Sequence, residues 1–262
     1  KAFILRGYAG TGKTSLVGAL VRALTQLQQN AILLAPTGRA AKVFAHYAGF
    51  QAFTIHKFIY RQERLGKESF SIADNRFRQT LFIVDEASMI SAERDNPTFG
   101  TGCLLDDLIS FVYSGEGCSM LVLGDDAQLS PVGQTASPAL DADYLRGYGL
   151  NVTMGLLTQV ARQALESGIL TNATALRDCY QHFDTLRLSD VPALLALIKE
   201  YKDVKRLHGG DELVEQLERS YREVGMEDTI ILTRTNRRTN LYNQGVRSRI
   251  LWKEDALSAG DR

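Results

Sequence analysis

The sequence predicts an α/β fold, a parallel sheet with helices on both faces. Three observations carry this. Short apolar runs of four or five residues alternate with longer segments of helical periodicity. Glycines or carboxylates stand directly after several runs, where a parallel sheet presents its ligands at the strands' carboxyl edge. Of 262 residues, 45% are hydrophobic and 23% charged. That is ordinary globular composition, enough for one large domain or two small ones.

Ala2-Phe3-Ile4-Leu5 is the first strand, and Gly7 to Thr14 reads Gly-Tyr-Ala-Gly-Thr-Gly-Lys-Thr. This fits the phosphate-loop pattern GxxxxGK[ST] at every fixed position, and Ser15 to Leu24 supplies the helix that must follow. The glycines let successive N–H groups curl around a phosphate, and the helix N-terminus adds partial positive charge. Gly7, Ala9, Gly10, Thr11, Gly12, Lys13, Thr14 and Ser15 are the candidate nucleotide-binding residues. Lys13 would reach the β- and γ-phosphates, and the Thr14 hydroxyl would ligate Mg²⁺.

Ala31 to Ala35 is the second strand, and Pro36-Thr37-Gly38 turns it into a helix from about Arg39 to Tyr47, ended near Gly49. Thr54 to Ile59 is short and mixed. Tyr60 to Gln79 is polar and irregular. Its arms Tyr60 to Lys67 and Ser69 to Ile72, joined through Gly66, fit a β-hairpin. Leu81 to Val84 is the third strand and runs into Asp85-Glu86. An apolar strand ending in two carboxylates is the Walker B arrangement. Asp85 would hold Mg²⁺, and Glu86 would deprotonate the attacking water. Leu104 to Tyr113 reads as a helix, and Met120 to Leu123 as the fourth strand, followed by Gly124-Asp125. Gln128 lies just beyond, with an amide that donates to a phosphate and accepts from water.

The pattern changes near residue 150. Helical periodicity is expected from Leu156 to Tyr180, Val191 to Tyr201 and Glu212 to Val224. Thr229 to Thr233 is expected as a strand and Asn236 to Arg249 as a helix, the start of a second α/β unit. The domains are therefore 1–150, with a hairpin insertion at about 60–79, and 151–262.

Thirty basic and thirty acidic residues cancel, so a nucleic-acid partner must meet a local basic groove. Three cysteines, odd in number and without metal-ligand spacing, read as reduced thiols of a cytoplasmic protein. No segment approaches the roughly 20 apolar residues of a membrane span, and no secretory leader is expected. The chain starts almost inside a strand and stops without a closing element, as an excised fragment would.

Six motifs follow in order: the phosphate loop, Ala35 to Lys42, Phe53 to His56, Phe82 to Met89, Gly124 to Val132, and Leu157 to Gln163. Together they resemble the superfamily 1 DNA helicases of the 5′–3′ branch, the RecD-like and Dda-like exodeoxyribonuclease alpha-subunit family. The resemblance runs from Phe3 to about Arg249. It implies a RecA-like phosphate-loop NTPase domain followed by the start of a second one. It also implies ATP with Mg²⁺ as cofactors, and single-stranded and forked duplex DNA as partners, with no membrane association. Gln128 would sense the γ-phosphate, and Arg162 would bring a guanidinium to it. Pro36, Thr37, Thr54 and His56 match DNA-contacting positions, with Arg39 adding positive charge beside them. The hairpin would be a wedge that splits the duplex. Some relatives place an aromatic residue before the arginine to stack on adenine, and Ala161 stands there instead. The adenine-reading glutamine and the second domain's arginine finger would lie outside the chain. A phosphate-loop kinase or transferase, or a nucleotide-dependent switch, is the alternative class.

Overall fold

The computed structural model describes residues 1–62, 69–94, 98–159, 167–180 and 197–252. Its contacts divide the chain into two units, Lys1–Asp203 and Val204–Arg262. In the first unit the strands are β1 (Ala2–Gly7), β2 (Asn30–Ala35), β3 (Ala52–Thr54), β4 (Tyr60–Gln62), β5 (Phe70–Ile72), β6 (Thr80–Val84), β7 (Ser119–Gly124) and β8 (Val152–Leu157). The helices are α1 (Lys13–Gln26), α2 (Gly38–Ala48), α3 (Ile55–Ile59), α4 (Leu104–Ser114), α5 (Ala142–Arg146) and α6 (Gly168–Tyr180).

Six strands form one sheet in the order β3-β2-β6-β7-β1-β8, and every neighbouring pair is parallel. Parallel strands need long crossovers, and here helices cover both faces. Alternate strand residues therefore enter two separate cores. Ile4, Leu34, Phe82, Val84, Met120 and Val122 pack with Ile55 and Ile59 of α3 and Leu105, Leu108 and Phe111 of α4. Leu5, Leu33, Ile83, Leu121 and Leu123 point the other way, onto Val17 and Val21 of α1 and Phe44 and Ala48 of α2. This two-sided burial is why the strands read as unbroken apolar runs. It is the phosphate-loop α/β sheet that the sequence predicts.

The strand order sets the site. β7 lies between β1 and β6, so the phosphate loop and Asp85-Glu86 end strands two spacings apart, about 10 Å. The loop after β7 therefore follows the strand that lies between them.

Two expectations are corrected. The helix expected from Leu156 does not start there, because Val152–Leu157 pairs with β1 along six residues; residues 160–166 lie outside the described residues, and α6 spans Gly168–Tyr180. Edge strand β8 is half-exposed, with Val152 buried and Thr153 and Met154 outside, so it shows no apolar run. The sheet thus continues past residue 150. In the second unit, Thr229 to Thr233 forms no strand. A strand exists through a partner's hydrogen bonds, and the described residues of that unit hold no other strand. The helices Gly210–Glu223 and Asn236–Gly245 are present, the second continued by a π-turn at Val246–Ile250.

The expected hairpin arms pair antiparallel, Tyr60 opposite Ile72 and Gln62 opposite Phe70. Their connection, residues 63–68, lies outside the described residues. The base is anchored inside the domain. Tyr60 Oη donates to Asp107 Oδ2 at 2.6 Å, and Thr101 donates its N–H and its hydroxyl to the same carboxylate. Asp107 is 0% exposed. Asp107→Ala would strand one buried donor, the Tyr60 hydroxyl, at about 1–3 kcal/mol, while the donors of exposed Thr101 can turn to water. We expect a loss of about 1–3 kcal/mol of unfolding free energy in denaturant titration.

Candidate functional site

Gly7 ends β1 where no side chain fits. A Cβ there would lie 2.8 Å from Thr11 Oγ1 and 3.1 Å from Lys13 Cγ. Gly12 precedes α1 at φ 83°, in the left-handed region that favours glycine. Between them the loop folds on Tyr8, whose carbonyl accepts the Thr11 hydroxyl at 2.7 Å and Lys13 Nζ at 3.1 Å. Lys13 Nζ also donates to the Gly7 carbonyl. Thr14 and Ser15 stand in the first turn of α1, whose early N–H groups have no partner within the helix. Ala9 and Gly10 are exposed at the crest. Gly7→Ala should weaken nucleotide binding at least tenfold in a fluorescent-nucleotide titration, because the added methyl displaces Thr11 and Lys13.

Asp85 and Glu86 follow β6. Asp85 is 9% exposed and accepts the Glu86 N–H at 2.9 Å. Burial pushes its pKa up, offset by that hydrogen bond and by the charge of Lys13. Glu86 is also raised, first by burial and then by Asp85, while Lys13 and a hydrogen bond from Gln128 pull it down. Both carboxylates therefore feel the Lys13 ammonium. Glu86 has φ 52°. A non-glycine residue there is strained by roughly 1–3 kcal/mol, and such strain concentrates at functional sites.

The loop after β7 closes the group. Ala127 N–H bonds to Asp125 Oδ1 at 3.0 Å, and Ser88 Oγ donates to Gln128 Oε1 at 3.1 Å. Beside it a cavity of about 480 Å³ is lined by residues that include Arg6, Tyr8, Asp125, Gln128 and Arg177. Arg6 is held by the Leu140 carbonyl and by Asp126 at 3.6 Å. The Arg177 guanidinium of α6 sits 4.0 Å over the Tyr8 ring, a cation–π contact that ties α6 to the phosphate loop. Sequence reasoning gave no role to Arg177, Ser88 or Tyr8. Tyr8 and Ser88 lie inside quoted motifs and Arg177 in none, but the contact each makes is to a partner remote in the chain.

The candidate DNA residues lie at the same sheet edge, after β2 and β3, where Ala35 is in register with Thr54. Thr37 caps α2 by accepting the Ala40 N–H, and Thr54 caps α3 by accepting the Lys57 N–H, each at 3.2 Å. Each hydroxyl then still has its own proton to donate to a phosphate. Pro36 is half-buried and Arg39 exposed. His56 is half-buried against Tyr60 and Phe99, with ring centroids 5.6 and 5.2 Å away. Burial lowers its pKa below the ordinary 6.5, which favours the neutral ring. Arg162 lies outside the described residues.

The geometry gathers an anion cradle, a cation, two carboxylates and an amide at one sheet edge. A family model described as an AAA domain matches residues 1–211. An ATP-dependent RecD2 DNA helicase from Deinococcus radiodurans is 29% identical over 180 residues, covering 66% of this chain. The chain spans 21% of that protein's length. This relative bears out the RecD-like resemblance carried by the motifs. Among solved structures, a Pif1 helicase from Candida albicans aligns at TM-score 0.48 and 18% identity, over 92% of this chain and 57% of that one. AMPPCP-bound DnaA from Aquifex aeolicus aligns at TM-score 0.31 and 16% identity, over 96% and 61%. No helix among the described residues is long and apolar enough to cross a membrane. The phosphate loop, the carboxylate pair and the whole sheet lie within the matched residues, and the chain belongs to the AAA domain family.

Proposed function

We propose that this chain is the ATP-hydrolysing core of a DNA helicase that moves 5′ to 3′ on single-stranded DNA. Its substrates would be single-stranded and forked duplex DNA, in cytoplasmic repair or recombination. One observation carries the reading. The nucleotide residues after β1, β6 and β7 and the strand-contact residues after β2 and β3 occupy one edge of one rigid sheet. A change at the phosphate is then transmitted directly to the DNA contacts. The match to a RecD2 DNA helicase supports it.

In the reaction, Lys13 exchanges the Gly7 and Tyr8 carbonyls for the β- and γ-phosphates of ATP. Glu86 accepts a proton from water as the water oxygen attacks the γ-phosphorus, and ADP leaves. Gln128 donates to the γ-phosphate, and Arg162 is assigned there by the resemblance alone. Thr37, Thr54, Arg39 and the turn at Pro36 hold the DNA backbone, and His56 lies against a base or sugar. The Thr14 hydroxyl and the Asp85 carboxylate are hard oxygen donors. Together with phosphate oxygens and water they fit Mg²⁺, which favours such sparse protein ligation. Bound there, Mg²⁺ would neutralise charge on the phosphates.

Steady-state ATP hydrolysis by the intact protein, with and without a single-stranded oligonucleotide, tests the reading; residues 1–262 alone are expected to hydrolyse ATP poorly. Stimulation of tenfold or more is expected. An unchanged rate at saturating oligonucleotide would exclude coupling to DNA and favour a kinase or a switch. The hairpin gives a second measurement. Replacing residues 64–69 by a short Gly-Ser turn should spare DNA-stimulated hydrolysis and sharply reduce unwinding of a forked duplex. Undiminished unwinding would make the segment a connection only.

A further inference from the structure

Ser88 follows the carboxylate pair in a short 3₁₀ turn, Ala87–Met89, and is 1% exposed. Its hydroxyl donates to Gln128 Oε1 at 3.1 Å, across forty positions of sequence. Two further bonds join the same two segments. Ser137 Oγ donates to the Ala87 carbonyl at 3.1 Å, and Gln134 Nε2 to Ser91 Oγ at 3.4 Å. The turn after β6 and the loop after β7 are thus laced together, with Ser88 as the contact that reaches the proposed phosphate sensor. The N–H₂ end of the same amide donates to the Glu86 carboxylate, which leaves its second proton for a phosphate oxygen.

A carboxamide has nearly the same shape after a half-turn about its last bond, but opposite chemistry at each end. Its nitrogen attracts a phosphate oxygen, and its oxygen repels one. Gln128 is exposed, so solvent alone would let both orientations exist. The Glu86 carboxylate only accepts and so takes the nitrogen end, and the buried Ser88 hydroxyl then donates to the oxygen and holds that end in place.

We propose that Ser88 is a positioning residue for ATP hydrolysis, holding the Gln128 amide oxygen inward so that the N–H₂ end faces the γ-phosphate. The inference rests on the reading of Gln128 as the γ-phosphate contact. It adds a residue whose effect is exerted wholly through that glutamine. Loss of the Ser88 hydroxyl costs nothing to the β-phosphate contacts of the loop, so it discriminates between nucleotides with and without a γ-phosphate.

The test is a double-mutant cycle on Ser88→Ala and Gln128→Ala, read as dissociation constants for ATPγS and for ADP and as kcat. A charge-assisted hydrogen bond is worth about 1.5–3 kcal/mol, or roughly 10- to 150-fold. Gln128→Ala should weaken ATPγS by about that factor and leave ADP unchanged. Ser88→Ala should weaken ATPγS about threefold to tenfold, lower kcat and leave ADP unchanged. In the Gln128→Ala background, Ser88→Ala should change nothing further. If Ser88→Ala is silent, weakens ADP equally, or keeps its full effect without Gln128, the positioning role is overturned and Ser88 is a packing residue. If Gln128→Ala itself fails to separate ATPγS from ADP, the γ-phosphate reading of Gln128 falls, and this inference with it.

Discussion

Glu86→Gln should bind ATP normally and turn it over at least ~100-fold more slowly, the usual cost of removing a general base. The substitution keeps size and polarity but cannot take a proton from water. Three features make Glu86 the group to lose. It ends the β6 segment two strands from the phosphate loop. It is held at a strained φ of 52°. Burial and the Asp85 charge raise its pKa above the ordinary 4.5. A raised pKa makes a stronger base, and it moves the acid limb of kcat to a pH above 4.5. A limb at or below that value, or a parental rate in Glu86→Gln, would remove Glu86 from the role. The same shift has a stability consequence. The folded state holds the Glu86 proton more tightly than the unfolded chain, so stability falls as pH rises from the unfolded to the folded pKa. Above that window the charge is a burden, and Glu86→Gln should melt at or above the parental temperature. A lower melting point would mean that the carboxylate contributes to the fold.

Lys13→Ala should abolish hydrolysis and weaken ATP binding by at least tenfold, with the fold intact. The ammonium is the cation of the anion cradle. It also holds the loop closed through the Gly7 and Tyr8 carbonyls and lowers the pKa of both carboxylates. Its removal therefore acts twice, on phosphate affinity and on the charge state of Asp85 and Glu86. In Lys13→Ala the remaining acid limb of any binding profile should move to higher pH. Calorimetry with ATP and a melting curve separate loss of the site from loss of the protein. Near-parental turnover would contradict the assignment of the loop.

Much of this was legible because the signals are local. Gly7 to Thr14 has a fixed spacing that few other chemistries need, and a buried parallel strand must be an apolar run. Asp85-Glu86 was readable because a carboxylate pair after such a run has few purely structural uses. The parts that escaped the sequence are non-local. β8 is an edge strand whose exposed Thr153 and Met154 hide it, and only its pairing with β1 makes it a strand. Thr229 to Thr233 has the residues of a strand but no described neighbour to pair with. Thr37 and Thr54 were read as phosphate contacts from residue type, and the structure shows their hydroxyls capping α2 and α3.

The sequence by itself determined the class of fold, the phosphate cradle and the placing of carboxylates at strand ends, since each follows from chemistry within a few residues. Only the tertiary structure decided which strands are neighbours. The order that sets β7 between β1 and β6 brings Gln128 to Ser88 and Glu86. It also lays the Arg177 guanidinium on Tyr8. Those contacts join residues from forty to more than a hundred and fifty positions apart. They depend on the packing of whole helices against the sheet, and no local propensity encodes them.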